Sequence, residues 1–236
     1  MFNEKINQTK IKAMRIVLYV LLFTISLNTY GQKINQISIK TGANVSGRTN
    51  ANTGHVDDKQ KLGFLFTIEP TLCSWGTKKQ FDFNTDISFL EKGYQKKETV
   101  YTYNEMGSIN GSGQEVYSFS LYYFSFSPNI KYKFSKIGFI KAGLTGDYLL
   151  ADKYKGKPDS QFKGSNGFLL FGAGASFGGG VCLGEKNIKF IAELMGQKDF
   201  ISSSYDSSDN TKQYYKNFSF YVNCGVSIGI NKKSKE

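Results

Sequence analysis

Few side chains in this chain have the types and spacing that chemistry needs. His55 is the single histidine, standing beside Asp57 and Asp58 with Ser46 nearby in sequence. A histidine base works only when a partner orients it and a nucleophile lies within reach. These residues therefore offer one reaction, lipid deacylation by a loop serine activated through His55. Nothing in the sequence orients such a triad, so a solvated loop histidine is the preferred reading of His55. Asp57, Asp58, Asp206 and Asp209 lack the ligand spacing of a calcium loop and read as solvated acids. Cys73, Cys182 and Cys224 are odd in number and lack metal-ligand spacing, so they read as separate small apolar residues. We expect no catalytic, cofactor or metal site, and read the chain as non-enzymatic with the His55 hydrolase as the alternative.

Other charges stand inside apolar stretches, where their surroundings decide what they do. Lys40, Glu69, Asp82, Asp86, Lys141, Lys189 and Glu193 form one such set, and Lys92, Lys96, Lys97, Lys153, Lys155 and Lys157 form another near the ends of those stretches. The elements that carry them come next.

Residues 1–31 read as a secretory signal peptide. Lys5, Lys10, Lys12 and Arg15 precede an apolar run from Ile16 to Leu27, and Thr29 and Gly31 supply small residues at the cleavage positions. The run is too short to span a bilayer as a stable helix. Met14, directly before Arg15, offers a second start. Gln32 follows, so the lipidated cysteine of a lipoprotein is absent at that position. Removing four basic groups and Glu4 lowers the net charge from +11 by 3 to +8 for residues 32–236.

Those residues have the composition of an exported β protein: 20 Phe, 15 Tyr and 25 Gly against 3 Pro. A mean hydropathy of −0.34 is compatible with a membrane barrel, in which only alternate strand residues face lipid. Period-two alternation recurs in eight runs: Gln36–Ser46, Lys61–Trp75, Gln80–Tyr94, Glu115–Phe134, Ile137–Leu150, Gly167–Leu183, Asn187–Phe200 and Asn217–Ile230. In the first, Ile37, Ile39, Thr41, Ala43 and Val45 oppose Ser38, Lys40, Gly42 and Asn44. In the third, Phe81, Phe83, Thr85, Ile87 and Phe89 oppose Asp82, Asn84, Asp86 and Ser88. In the fourth, both faces carry aromatics, so its parity stays open.

Connections alternate too. Trp75–Lys79, Ser135–Lys136 and Gly184–Lys186 are tight, whereas Gly47–Gln60, Gln95–Gln114, Ala151–Asn166 and Ile201–Lys216 are long and polar. An even number of runs with this pattern predicts an all-β fold, an eight-stranded antiparallel up-and-down transmembrane β-barrel. Its short turns and termini are periplasmic, including a short basic tail after Ile230, and its long loops lie outside. The uncharged stretch Gly164–Gly184 competes as a helix with small-xxx-small spacing. Its seven glycines from Gly167 to Gly184 cost about 1 kcal/mol each in a helix relative to Ala, so the strand reading is preferred.

On these elements Lys40, Glu69, Asp82, Asp86, Lys141, Lys189 and Glu193 face inward. Unpaired they would be costly, so they should form an ion-pair plug closing a narrow lumen. Tyr94, Tyr117 and Tyr148 outside, with Trp75, Tyr132 and Phe134 at the periplasmic end, fit interfacial girdles. Lys92, Lys96, Lys97, Lys153, Lys155 and Lys157 then lie at the outer rim. There lipopolysaccharide phosphates could accept their charge, or water solvate it. Nucleic acid is excluded as a partner, because the charge is spread over loops and the chain is exported.

Several segments carry a resemblance: Ile37–Ser46, Glu69-Pro70, Leu90-Glu91-Lys92-Gly93-Tyr94, Phe126–Phe134 and Gly138–Gly143. Together they resemble the PorT-like outer membrane β-barrel proteins of Bacteroidetes over essentially the whole of residues 32–236. The resemblance implies an outer-membrane location and a role in secretion or envelope assembly, with partners among outer membrane lipid and envelope or secretion-system proteins. A secreted soluble barrel binding a small apolar ligand is a lesser alternative. It requires the alternating apolar faces to point inward.

Overall fold

The computed structural model describes residues 34–50, 59–104, 106–155, 171–184, 187–201 and 215–230. Eight strands form among them: β1 Gln36–Asn50, β2 Lys59–Trp75, β3 Phe81–Tyr103, β4 Ile109–Lys133, β5 Gly138–Lys155, β6 Phe171–Leu183, β7 Ile188–Ile201 and β8 Tyr215–Gly229. Each pairs antiparallel with its chain neighbours, and β1 pairs with β8 from Gln36↔Gly229 to Asn50↔Tyr215. The sheet therefore closes with no edge along the wall.

Local chemistry sets the tight ends. Gly76 at φ 90° and Lys79 at φ 51° turn the chain from β2 to β3, and Lys79 N–H donates to Gly76 O. Ser135 Oγ accepts the N–H groups of Ile137 and Gly138 between β4 and β5. Within the segment that competes as a helix, Phe171–Leu183 is strand β6. Its inward Gly172, Gly174, Ser176 and Gly178 leave room for larger neighbours. A Cβ at Gly178 would meet Met195 Sδ at 2.6 Å and Leu194 O at 2.1 Å.

Several boundaries depart from the sequence reading, β1 among them, which runs past Ser46 to Asn50. Gln95–Gln114, read as a loop, is mostly strand: β3 and β4 stay paired up to Tyr103↔Ile109. Among the described residues β2 pairs with β3 as far as Gln95, and β5 with β4 as far as Ser118. The hairpin thus rises above the barrel, held by its own ladder and closed by Asn104, whose Oδ1 accepts from Met106 and Ser108 N–H. Polar residues there misled, because a strand exposed on both faces needs no apolar alternation. Likewise Ala151–Lys155 continues β5.

The faces follow the period-two pattern. Ile39, Phe64, Phe66, Ile87, Leu144, Phe177, Leu194, Phe220 and Val222 are exposed on the outer wall. Their alternates, Lys40, Thr67, Glu69, Asp86, Glu193, Ser219 and Asn223, are buried within. β4 settles its open parity with Tyr117, Leu121 and Tyr123 inward. Leu121 and Tyr123 join Leu65, Leu90 and Leu149 in an apolar wedge on one side of the lumen, against which Tyr221 packs.

Candidate functional site

The lumen holds two charged layers. In the lower one, toward the tight turns, Glu69 on β2 accepts from three lysines: Lys40 on β1 at 2.5 Å, Lys141 on β5 at 2.5 Å and Lys131 on β4 at 2.6 Å. Lys40 also reaches Glu193 on β7 at 2.8 Å, and Lys141 reaches Asp86 on β3 at 2.7 Å. Three cations and three carboxylates from six strands thus neutralise one another. Lys40, Lys141 and Glu69 have side chains at most 1% exposed. So complete a removal from water is tolerable only because each charge has several partners.

In the upper layer Lys92 on β3 donates to Asp147 on β5 at 2.6 Å and lies 3.2 Å from Asp199 on β7. Gln197 Nε2 donates to Asp147 Oδ2 at 2.8 Å, and Asn217 Nδ2 to Asp199 Oδ2 at 3.2 Å. Above it the guanidinium of Arg48 lies 3.8 Å over the ring of Tyr94. Between the layers is a small chamber whose lining includes Asn44, Asp86, Ser125, Gln197, Tyr221 and Asn223. The Oδ1 atoms of Asn44, Asp86 and Asn223 have no hydrogen-bond donor among the described residues, which makes the lining of the chamber polar.

Of the inward charges read from the sequence, Lys40, Glu69, Asp86, Lys141 and Glu193 meet in the lower layer. Asp82 does not join them. It pairs with Lys133 at 2.8 Å and accepts from Ser74 at the mouth on the tight-turn side. Lys189 is half-buried near that mouth and has no ion pair with a described residue. Lys131 was missed because the parity of β4 was open.

Lys92 requires a correction. Expected at the outer rim, it is 2% exposed inside the barrel. The sequence held the signal: Asp82, Asn84, Asp86 and Ser88 fix even residues of β3 as inward, and Lys92 continues that series. Parity carried along β5 and β7 likewise turns Asp147 and Asp199 inward. Tyr94 and Tyr117, expected in a girdle, are also buried within the barrel. At the tight-turn end, on the outer wall, Trp75 stacks on Phe81 with centroids 5.7 Å apart, and Phe81 meets Tyr132 at a tilt with centroids 4.9 Å apart. Lys97, Lys153 and Lys155 are exposed toward the loop end. The side chain of Lys96 and the residues His55, Asp57, Asp58, Lys157, Asp206 and Asp209 lie outside the described set.

A closed barrel with an apolar exterior and ion pairs for a core is the inverse of a water-soluble one, and defines a transmembrane β-barrel. The apolar-ligand alternative fails on the same finding, since the faces it needs inside are outside. Solved structures of this general form include Neisserial surface protein A, with TM-score 0.42, 12% identity, and coverage of 81% of this chain and 96% of the other. Ail, the attachment invasion locus protein of Yersinia pestis, solved with the heparin analogue sucrose octasulfate, gives TM-score 0.36 and 12% identity over 83% and 100% of the two chains. The outer membrane protease OmpT from Escherichia coli gives 0.33 and 10% over 85% and 98%. No protein-family model and no curated protein sequence matches the chain.

Proposed function

We propose that the chain is a non-enzymatic outer-membrane barrel, closed to diffusion, that presents its outer rim and the β3–β4 hairpin to partner proteins or envelope components. The observation that carries this is the lower charged layer. Glu69, Asp86 and Glu193 are each held by lysines from other strands, so they tie the wall together instead of standing free as bases. That leaves the hairpin above the membrane as the part shaped for contact. Its residues Thr99, Tyr101, Ser112 and Gln114 are exposed. The resemblance to PorT-like proteins supports a place in secretion or envelope assembly.

Photo-crosslinkers placed in living cells at Thr99, Tyr101, Ser112 and Gln114 test the proposal. We expect the same protein or lipid adduct from neighbouring positions. Absence of any adduct from all four would overturn it.

A further inference from the structure

The outer wall carries a second charged feature, separate from the lumen. Register places Lys59 of β2 opposite Gln95 of β3, Gln95 opposite Ser118 of β4, and Ser118 opposite Lys155 of β5. Residues opposite one another in an antiparallel ladder project on the same face. Tyr94 and Tyr117 point inward, so this row points outward. At about 4.8 Å per strand its lysines are about 14 Å apart along the wall. The next row toward the membrane is Gly93, Ser120 and Lys153, and Lys97 stands one step above, opposite Val116.

Lys61 belongs to this surface by an indirect route. β2 is irregular between Gln60 and Leu65, and the Lys61 side chain crosses the bare backbone of Gly93. A Cβ at Gly93 would lie 2.9 Å from Lys61 Cδ. Lys61 donates to Ser120 Oγ and pairs with Glu91 at 2.7 Å. The pair neutralises Glu91. Lys59, Lys97, Lys153 and Lys155 are exposed and pair with no carboxylate among the described residues.

Directly below lie the exposed apolar side chains of Leu62 and Phe64 on β2 and Leu150 on β5. Cations over a hydrocarbon-facing belt match an amphiphile whose anionic group sits above its acyl chains. A soluble polyanion would have no use for the belt. We propose that this face of β2–β5 binds phosphate-bearing lipid headgroups of the outer leaflet, with Lys59, Lys153 and Lys155 as the principal contacts. The proposal rests on the membrane reading above.

The test titrates the refolded full chain with bis-phosphorylated lipid A and with the same lipid A stripped of phosphate, and reads bound lipid by native mass spectrometry. We expect the phosphorylated form to bind at least about tenfold tighter, since each lysine at a membrane surface contributes measurably to anionic-lipid attraction. The triple variant Lys59→Gln, Lys153→Gln, Lys155→Gln should lose that preference, and Lys78→Gln with Lys136→Gln at the opposite end should keep it. No phosphate preference in the wild type, or an undiminished one in the triple variant, overturns the proposal. Displacement of lipid A by free heparin at comparable concentration also overturns it, in favour of a soluble polyanion site. Gel mobility with and without boiling is read on every sample. A folded barrel lacking the preference defeats this inference alone, whereas a wild-type chain that never inserts into bilayers defeats the membrane reading and this inference with it.

Discussion

Lys92 Nζ lies 2.6 Å from Asp147 Oδ2, and both side chains are 1% exposed. The bond passes across β4 to join β3 to β5, two strands that share no ladder. Such a pair does what a hydrophobic core does elsewhere: it ties non-adjacent parts of the wall together. Its removal has a predictable cost.

Replacing Lys92 with Met should strand Asp147 and Asp199 in the upper lumen and destabilise the barrel by about 3–5 kcal/mol. Urea titration in detergent micelles, followed by gel mobility without boiling, measures it. Adding Asp147→Asn and Asp199→Asn to Lys92→Met should recover most of the loss. A single Lys92→Met barrel as stable as wild type would place Lys92 in solvent.

Glu69 accepts from Lys40, Lys131 and Lys141, so Glu69→Gln leaves three buried cations with one carboxylate fewer. We expect a loss of at least about 3 kcal/mol, from the cost of uncompensated buried charge. Asp82→Asn should cost much less, because its partner Lys133 is 40% exposed. The two unfolding midpoints compared side by side check this order; equal midpoints would mean that the lower layer is not a unit.

Both charged layers and the Leu65–Leu149 wedge fill the lumen, as the narrow bore of eight strands requires. The wild-type protein in a planar bilayer should therefore show no steady ion conductance. Persistent single-channel steps in concentrated potassium chloride would contradict the closed lumen.

Leu194 and Phe177 stand at 63% and 64% exposure on the outer wall. Leu194→Arg should cost about 2–4 kcal/mol near the bilayer midplane and impair insertion into vesicles. The same residue placed instead at exposed Ser112 in the hairpin should have little effect. Sedimentation with vesicles separates the two outcomes, and normal insertion of Leu194→Arg would argue for an exterior that faces water.

Among the described residues, the hairpin above Gln95 and Ser118 contributes only its own ladder to the fold. Joining Lys97 to Gln114 through a short turn should leave the mobility shift on boiling intact. Failure of the shortened chain to fold would assign the hairpin a structural role.

Much of this was legible along the chain. Alternation such as Phe218, Phe220, Val222 against Ser219, Tyr221, Asn223 specifies a strand and assigns its two faces, because side chains on a pleated backbone repeat every two residues. Tight turns at Gly76 and Ser135 against long polar connections fixed the order and direction of the strands. Legibility failed where the pattern lost contrast. On β4 both faces are apolar, since Leu121 and Tyr123 serve the interior wedge while Phe124 and Phe126 face outward. In the hairpin neither face is buried, so nothing distinguishes strand from loop.

The sequence by itself determined that eight strands close a barrel with apolar side chains outside and that Lys40, Glu69 and Lys141 turn inward, because parity is a local property of an extended backbone. Which charges meet was decided only by the tertiary structure. Glu69 lies 62 residues from Lys131 and 72 from Lys141, and Lys92 lies 107 from Asp199. Strand tilt and register in a closed sheet set those encounters. The row of lysines from Lys59 to Lys155 has the same origin, since a face shared by four strands exists only once their ladders are aligned.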